Sequence, residues 1–171
     1  MRHPPPWQQA YACVDYAYPW KALIARWKFA EQPALAHHLA GWMLETPGVE
    51  QALRHADVIL PIPTSHQRMR ERGYHPAAQL AKLLSPDKCN LYALQRLRHT
   101  PSQSQLTRSQ RLRNLRGAFG MPPQQSNAIT DRQVLLVDDV MTTGATLTLA
   151  SKAVLQAGAA KVSVLSFART P

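Results

Sequence analysis

Two adjacent carboxylates, Asp138 and Asp139, close the apolar run Val134-Leu135-Leu136-Val137, and shortly after them comes Thr142-Thr143-Gly144-Ala145-Thr146. The run reads as a buried strand, so the acids sit at its carboxyl end, where ligands bind in open α/β sheets. The Thr/Gly stretch reads as a turn opening a helix. First-turn N–H groups lack intrahelical partners and favour an anion, and Gly144 lets a backbone approach closely. With hydroxyls from Thr142, Thr143 and Thr146, and with Met141 entering the turn, residues 141–146 suit a phosphate. Like charge bars the acids from that phosphate. They suit sugar hydroxyls beside it, or they help hold Mg²⁺. A ribose 5-phosphate satisfies both halves. A helix cap is the simpler reading, but it needs one acid rather than two. A Walker A loop is excluded, since no Gly-Lys-Ser/Thr follows the turn.

The elements that position these residues are legible nearby. Residues 133–137 form the strand, 147–156 a helix with Leu147, Ala150 and Val154 in register and Gly158 at its end, and 161–167 (K-V-S-V-L-S-F) the next strand. Strand, helix, strand predicts a parallel βαβ unit with a right-handed crossover. Upstream, 57–63 (D-V-I-L-P-I-P) reads as a short buried strand that proline stops. Helices are expected over Trp20–Phe29, over 33–45 and over 76–84, a basic turn up to Gly73, and a second strand over 92–97. Residues 99–116 have little pattern and read as a mobile loop with some helix, and 122–127 as a connector.

The 171 residues suit one domain with a sizeable core; 45% are hydrophobic and 18% charged, which excludes global disorder. Lys and Arg number 20 against 10 Asp and Glu, a net charge of +10, which points to anionic partners. The surplus is uneven. Between Asp87 and Asp131 there is no acid, and Lys88, Arg96, Arg98, Arg108, Arg111, Arg113 and Arg116 carry seven of the ten net charges. Arg68, Arg70 and Arg72 form a second cluster. Arginine's planar fork suits phosphate, so anion binding is favoured over a solvated charged run. Cys13 and Cys89 lie far apart, so neither a disulfide framework nor a cysteine zinc site is expected. No stretch approaches a membrane span and residues 1–6 carry no apolar signal region, so no membrane insertion and a cytoplasmic location are expected.

The run Val134–Thr146 closely resembles the PRPP-binding signature of type I phosphoribosyltransferases. Residues 18–29 (Y-P-W-K-A-L-I-A-R-W-K-F), 57–63, Arg72-Gly73-Tyr74, 98–106 (R-H-T-P-S-Q-S-Q-L), Arg113-Asn114 and Ala118-Phe119 resemble the ComF family of phosphoribosyltransferase-like competence proteins. The likeness runs from about residue 15 to 169. It implies an α/β fold: a type I phosphoribosyltransferase-like parallel sheet flanked by helices, with a small hood from roughly residues 1–50 over a core of roughly 55–171. It implies that Asp138 and Asp139 contact the ribose 2′ and 3′ hydroxyls and that Met141, Thr142, Thr143, Gly144, Ala145 and Thr146 hold the 5′-phosphate. Thr64 and Ser65, with Arg68 nearby, match the pyrophosphate loop. Arg98, Arg108, Arg111, Arg113 and Arg116 match the loop that closes over the reaction. Mg²⁺ enters with PRPP, helping arginine to neutralise the departing pyrophosphate. Two departures stand out. The four-cysteine zinc module with which many members begin is absent, and Arg72-Gly73-Tyr74-His75-Pro76 stands where the family often reads R-G-F-N-Q.

No residue is identified as catalytic; His66, His75 and His99 are candidates for a base by position only. Three functions are open. One is Mg²⁺-dependent transfer of phosphoribose from PRPP to a nucleophile. Another is a non-catalytic accessory of DNA uptake, its arginines on single-stranded DNA or on a helicase partner. The third is a regulator that senses PRPP or a nucleotide. The absence of any aromatic residue over 96–116 argues against base stacking there.

Overall fold

The computed structural model describes residues 4–29, 32–97 and 117–171. The strands, in chain order, are β1 (Ala10–Asp15), β2 (Val58–Pro61), the two-residue β3 (Gln95–Arg96) and β4 (Phe119–Gly120), β5 (Gln133–Met141) and β6 (Lys161–Arg169). The helices are α1 (Trp20–Phe29), α2 (Leu35–Glu45), α3 (Val49–His55), α4 (His66–Arg72), α5 (Pro76–Leu84) and α6 (Ala145–Gln156). The main sheet has the order β1-β6-β5-β2 with every pair parallel. Residues 88–90 add a rudimentary neighbour to β2: Ile59 N–H donates to the Lys88 carbonyl at 2.8 Å, and Asn90 N–H to the Ile59 carbonyl at 3.0 Å.

Strand β5 shows why both faces are covered. Its side chains alternate with period two. Leu135 and Val137 join Ile59, Leu165 and Phe167 on one face, beneath Ile24 and Trp27 of α1, Leu39 and Met43 of α2, and Leu80 and Leu84 of α5. Val134 and Leu136 join Leu60, Val162 and Val164 on the other, beneath Leu147, Ala150 and Val154 of α6. A strand buried on both faces reads as an unbroken apolar run, which is the pattern expected of a parallel sheet between helical layers.

Three expectations are revised. Residues 66–72 form a helix rather than a basic turn. The Ser65 hydroxyl caps it by accepting from Arg68 N–H at 3.3 Å, and Gly73 ends it at φ 73°. The expected strand over 92–97 shrinks to β3, which pairs antiparallel with β4 outside the main sheet, and the place beside β2 goes to 88–90. The strand expected over 133–137 runs on to Met141, which carries both acids into the strand itself. Within the N-terminal part, β1 joins the main sheet and α1 and α2 join its covering layer.

Lys88, one of the seven charges in the acid-free stretch, faces away from any anion. Its ammonium donates to the carbonyls of Leu53, Arg54 and Ala56 at 2.9, 3.1 and 2.8 Å, which satisfies the end of α3. Lys88→Met is expected to cost about 1–3 kcal/mol by leaving those carbonyls unpaired, and the unfolding midpoint should fall by roughly 5 °C. An unchanged midpoint would mean that water replaces the ammonium without loss.

Candidate functional site

From β2 the chain passes through α4 and α5 to residues 88–90 on one side. From β5 it passes through α6 to β6 on the other. The order therefore reverses between β2 and β5, and a crevice opens beyond their carboxyl ends. Proline makes the crevice abrupt. Strand β2 ends at Pro61, opposite Val137, and after a last bond from Ile62 N–H to the Val137 carbonyl at 2.8 Å, Pro63 has no N–H to give. Strand β5 runs on beside β6, Asp138 opposite Ser166 and Met141 opposite Arg169. Asp138 and Asp139 thus line the crevice just past the end of β2.

Asp139 shares its face with α1 and α5, and there the Lys28 ammonium lies 2.6 Å from Asp139 Oδ2, both side chains largely buried at 12% and 16% exposure. Arg72, at the end of α4, is also drawn to Asp139. Burial lowers its proton affinity, Asp139 restores it and Arg68 opposes it. Its guanidinium lies 4.6 Å from the centre of the Phe29 ring, and its buried Nε has no hydrogen-bond partner among the described residues. Asp138 lies within electrostatic reach of both Lys28 and Arg68. Arg96 of β3, 5.6 Å over the Phe119 ring, is held below its ordinary range by burial and by Arg68, while Asp138 opposes the fall. Cations from α1, α4 and β3 thus surround one acidic pair.

Burial pushes the Asp138 carboxyl up to about 7, and the neighbouring Asp139 adds to the rise; Lys28, the Asp139 N–H that donates to Asp138 Oδ1 at 2.8 Å, and Arg68 pull it back. The unfolded group titrates near 3.8. Between those values the folded chain holds a proton that the unfolded chain has lost, so this group's contribution to stability falls as pH rises through that window. Asp138→Asn is therefore expected to gain in unfolding midpoint relative to the parent between pH 5 and pH 8. His75 contributes an opposite slope below about 6.5, since burial holds its imidazole low, but it is common to both proteins and cancels. Thermal unfolding at the two pH values checks this, and an equal difference at both would place the titration elsewhere.

The turn after β5 spans residues 142–144, with Met141 ending the strand and Ala145 and Thr146 already in α6, which starts two residues before the helix expected from 147. Gly144 sits at φ 69° before α6, so the backbone conformation selects glycine; a Cβ there would make ordinary contacts with Trp7 Cη2 at 3.4 Å and Met141 Sδ at 3.9 Å. Thr143 Oγ1 accepts weakly from Ala145 N–H at 3.4 Å. The Thr142 side chain is exposed, those of Thr143 and Thr146 are half-buried, and Ala145 is buried beneath. The turn and the acidic pair are thus contiguous.

Of the pyrophosphate-loop candidates, Ser65 is buried and its hydroxyl caps α4, Thr64 N–H donates to His75 Nε2 at 2.8 Å, and Arg68 is exposed on α4 within electrostatic reach of Asp138, Arg72 and Arg96. His75 is also the cap of α5, its Nδ1 accepting from Ala78 N–H at 3.1 Å. A neutral imidazole has one acceptor nitrogen, so the two contacts compete and protonation breaks both. Histidine therefore does here what a capping asparagine would do. Arg98, Arg108, Arg111, Arg113 and Arg116 lie outside the described residues, as do His99 and the side chain of His66. The segment's stems are described: β3 and β4 pair at its base, with Leu97 N–H donating to the Ala118 carbonyl at 2.8 Å.

Lys28 and Trp7 are contributions that the sequence did not single out, while Arg72 and Arg96 entered it only as members of basic clusters with no link to the acidic pair. Lys28 falls within the helix expected over Trp20–Phe29, off its apolar face. The signal available was its neighbour Trp27, an apolar residue that fixes the last turn. Trp27 is fully buried, its indole N–H donates to Gln79 Oε1 at 3.2 Å, and its carbonyl accepts from the Tyr74 hydroxyl.

A family model described as a phosphoribosyl transferase domain matches residues 29–171. The Haemophilus influenzae protein named Competence protein F is 32% identical over 177 residues, covering 99% of this chain and 76% of that protein. DNA utilization protein YhgH of Escherichia coli K12 is 32% identical over 180 residues, with the same coverage of 99% and 76%. Competence protein ComFC of Bacillus subtilis is 36% identical over 110 residues, 64% of this chain and 42% of that one. Among solved structures, the allosteric regulatory enzyme of purine biosynthesis aligns with a TM-score of 0.48 at 21% identity, and this chain spans 25% of it. No helix among the described residues is long and apolar enough to cross a membrane. With a parallel sheet flanked by helices, a phosphoribosyl transferase model over most of its length and relatives aligned across nearly all of it, the chain belongs to the ComF family of phosphoribosyltransferase-like proteins.

Proposed function

We propose that this protein binds PRPP, or the ribose 5-phosphate part of a nucleotide, in the crevice between β2 and β5. The observation that carries the reading is the convergence of Lys28, Arg68, Arg72 and Arg96 on Asp138 and Asp139, beside a glycine turn at a helix N-terminus. An acidic pair alone suits hydroxyls, and a basic cluster alone suits phosphates. A ligand with vicinal hydroxyls and several phosphates answers both. The Arg72 Nε, buried without a described partner, offers one donor to such a ligand. The turn over 141–146 takes the 5′-phosphate, the acids take the 2′ and 3′ hydroxyls, and the pyrophosphate lies toward Arg68. Mg²⁺, carried on the phosphates, supplies neutralising charge there.

Calorimetric titration tests this directly. PRPP is expected to saturate a single site. Ribose 5-phosphate should bind about tenfold more tightly than 2-deoxyribose 5-phosphate, because the latter lacks one hydrogen bond to a carboxylate. Equal affinity for the two sugars would remove the 2′ hydroxyl from the site, and no PRPP heat at all would overturn the reading.

A further inference from the structure

The acidic pair admits two uses: accepting hydrogen bonds from hydroxyls, or ligating a divalent cation. The geometry at Asp139 separates them. An ammonium already lies 2.6 Å from Oδ2, within the protein and largely screened from water. Lys28 is no loose surface side chain, because Trp27 beside it is wedged into the core and tied to Gln79 and Tyr74, and Phe29 after it lies under Arg72. On the other acid, Asp138 Oδ1 is occupied by the Asp139 N–H at 2.8 Å. Among the described residues no three His, Cys, Asp or Glu side chains stand together as metal ligands.

A divalent cation fits this pair poorly. Mg²⁺ and Mn²⁺ need bare carboxylate oxygen at close to 2 Å in octahedral geometry. An ion on Asp139 Oδ2 would have to expel Lys28, and on any other oxygen of the pair it would sit beside that ammonium and face Arg68, Arg72 and Arg96 as well. A neutral hydroxyl faces no such repulsion. It donates to the carboxylate while the ammonium stays close.

We infer that Lys28 is the resident counter-cation of the acidic pair, excluding divalent metal from Asp138 and Asp139 and reserving them for the neutral hydroxyls of a phosphorylated sugar. Any metal at the site is then held by the ligand's phosphates and not by the protein's carboxylates.

This deepens the proposed sugar-phosphate reading and shares its site, so its test uses metal alone, without sugar or phosphate. Mn²⁺ binding is measured by electron paramagnetic resonance on the parent chain, Asp139→Asn, Lys28→Met and Lys28→Arg, each first checked for cooperative unfolding. The parent is expected to hold no Mn²⁺ that Asp139→Asn removes. Lys28→Met should gain a site at least about tenfold tighter than anything in the parent, and Asp139→Asn in that background should abolish it. Lys28→Arg, which keeps the charge, should gain nothing. Parental Mn²⁺ binding that disappears in Asp139→Asn would overturn the inference, as would a folded Lys28→Met with no gain. Should Lys28→Met not fold, the parent against Asp139→Asn still decides. PRPP titration of the parent stands apart, so the sugar-phosphate reading and the metal exclusion can fail separately.

Discussion

The double substitution Asp138→Asn with Asp139→Asn is expected to weaken PRPP binding by at least about a hundredfold, taking two charge-assisted hydrogen bonds at about 1.5–3 kcal/mol each. The shape of the site survives, since asparagine is isosteric. What goes is the negative charge at both positions, and one of the two acceptor oxygens of each carboxylate becomes a donor amide. The change leaves the basic residues Lys28, Arg68, Arg72 and Arg96 with less opposing charge, so nonspecific attraction to phosphates should rise. Simple polyanions such as pyrophosphate should therefore bind the double variant at least as well as the parent. Opposite movement of PRPP and pyrophosphate is the signature of hydroxyl recognition at the pair. If both ligands weaken together, the variant has lost the site as a whole; if PRPP is unaffected, the acids do not touch the sugar. Calorimetry on both ligands, at fixed salt, gives the answer.

The second large effect lies away from the crevice. Trp27→Ala is expected to destabilise the fold by about 3–5 kcal/mol, the range for truncating a fully buried large aromatic side chain, against a total of about 5–15 kcal/mol for a domain. Trp27 has no exposed surface and packs with Leu39, Leu80 and Phe167 in the layer under α1, α2 and α5. Its loss opens a cavity where three helices meet the sheet and strands the Gln79 side chain. Trp27→Phe, which keeps most of the volume and gives up the indole N–H, should cost much less. Denaturant unfolding with the two variants separates packing from the hydrogen bond. A small effect for Trp27→Ala would show that α1 is not anchored through this residue, and it would weaken the case for a fixed Lys28.

The elements around the candidate site that are legible in the chain are those whose residues lie within a few positions of each other. Strand β5, the acidic pair and the turn over 141–146 occupy one stretch, and each follows from local rules: an apolar run bounded by charge, then glycine and threonine before a helix. The helix over 66–72 was missed although Gln, Arg, Met and Glu are good helix formers. Three arginines in seven residues invited a reading by charge instead. Strand β1 and helix α3 left no readable trace. Ala10–Asp15 alternates poorly, and a seven-residue helix spans too few turns for periodicity to declare itself.

Charge shows most clearly where sequence stops. The acid-free stretch looked like a single basic surface, yet Lys88 caps the carbonyls at the end of α3, while Arg96 reaches toward Asp138 and sits over Phe119. The nearest cation to the pair came from α1, more than a hundred residues upstream. Composition counts charges but cannot say which sheet edge or helix end each one meets.

The sequence by itself determined the strand, its two acids and the turn, because those depend on neighbours along the chain. The tertiary structure alone decided that β2 stops at Pro61 opposite Val137, that the strand order reverses there, and that α1 docks with Lys28 against Asp139. Strand order and helix docking arise from burying two apolar faces at once, a condition on the whole chain that no local segment contains.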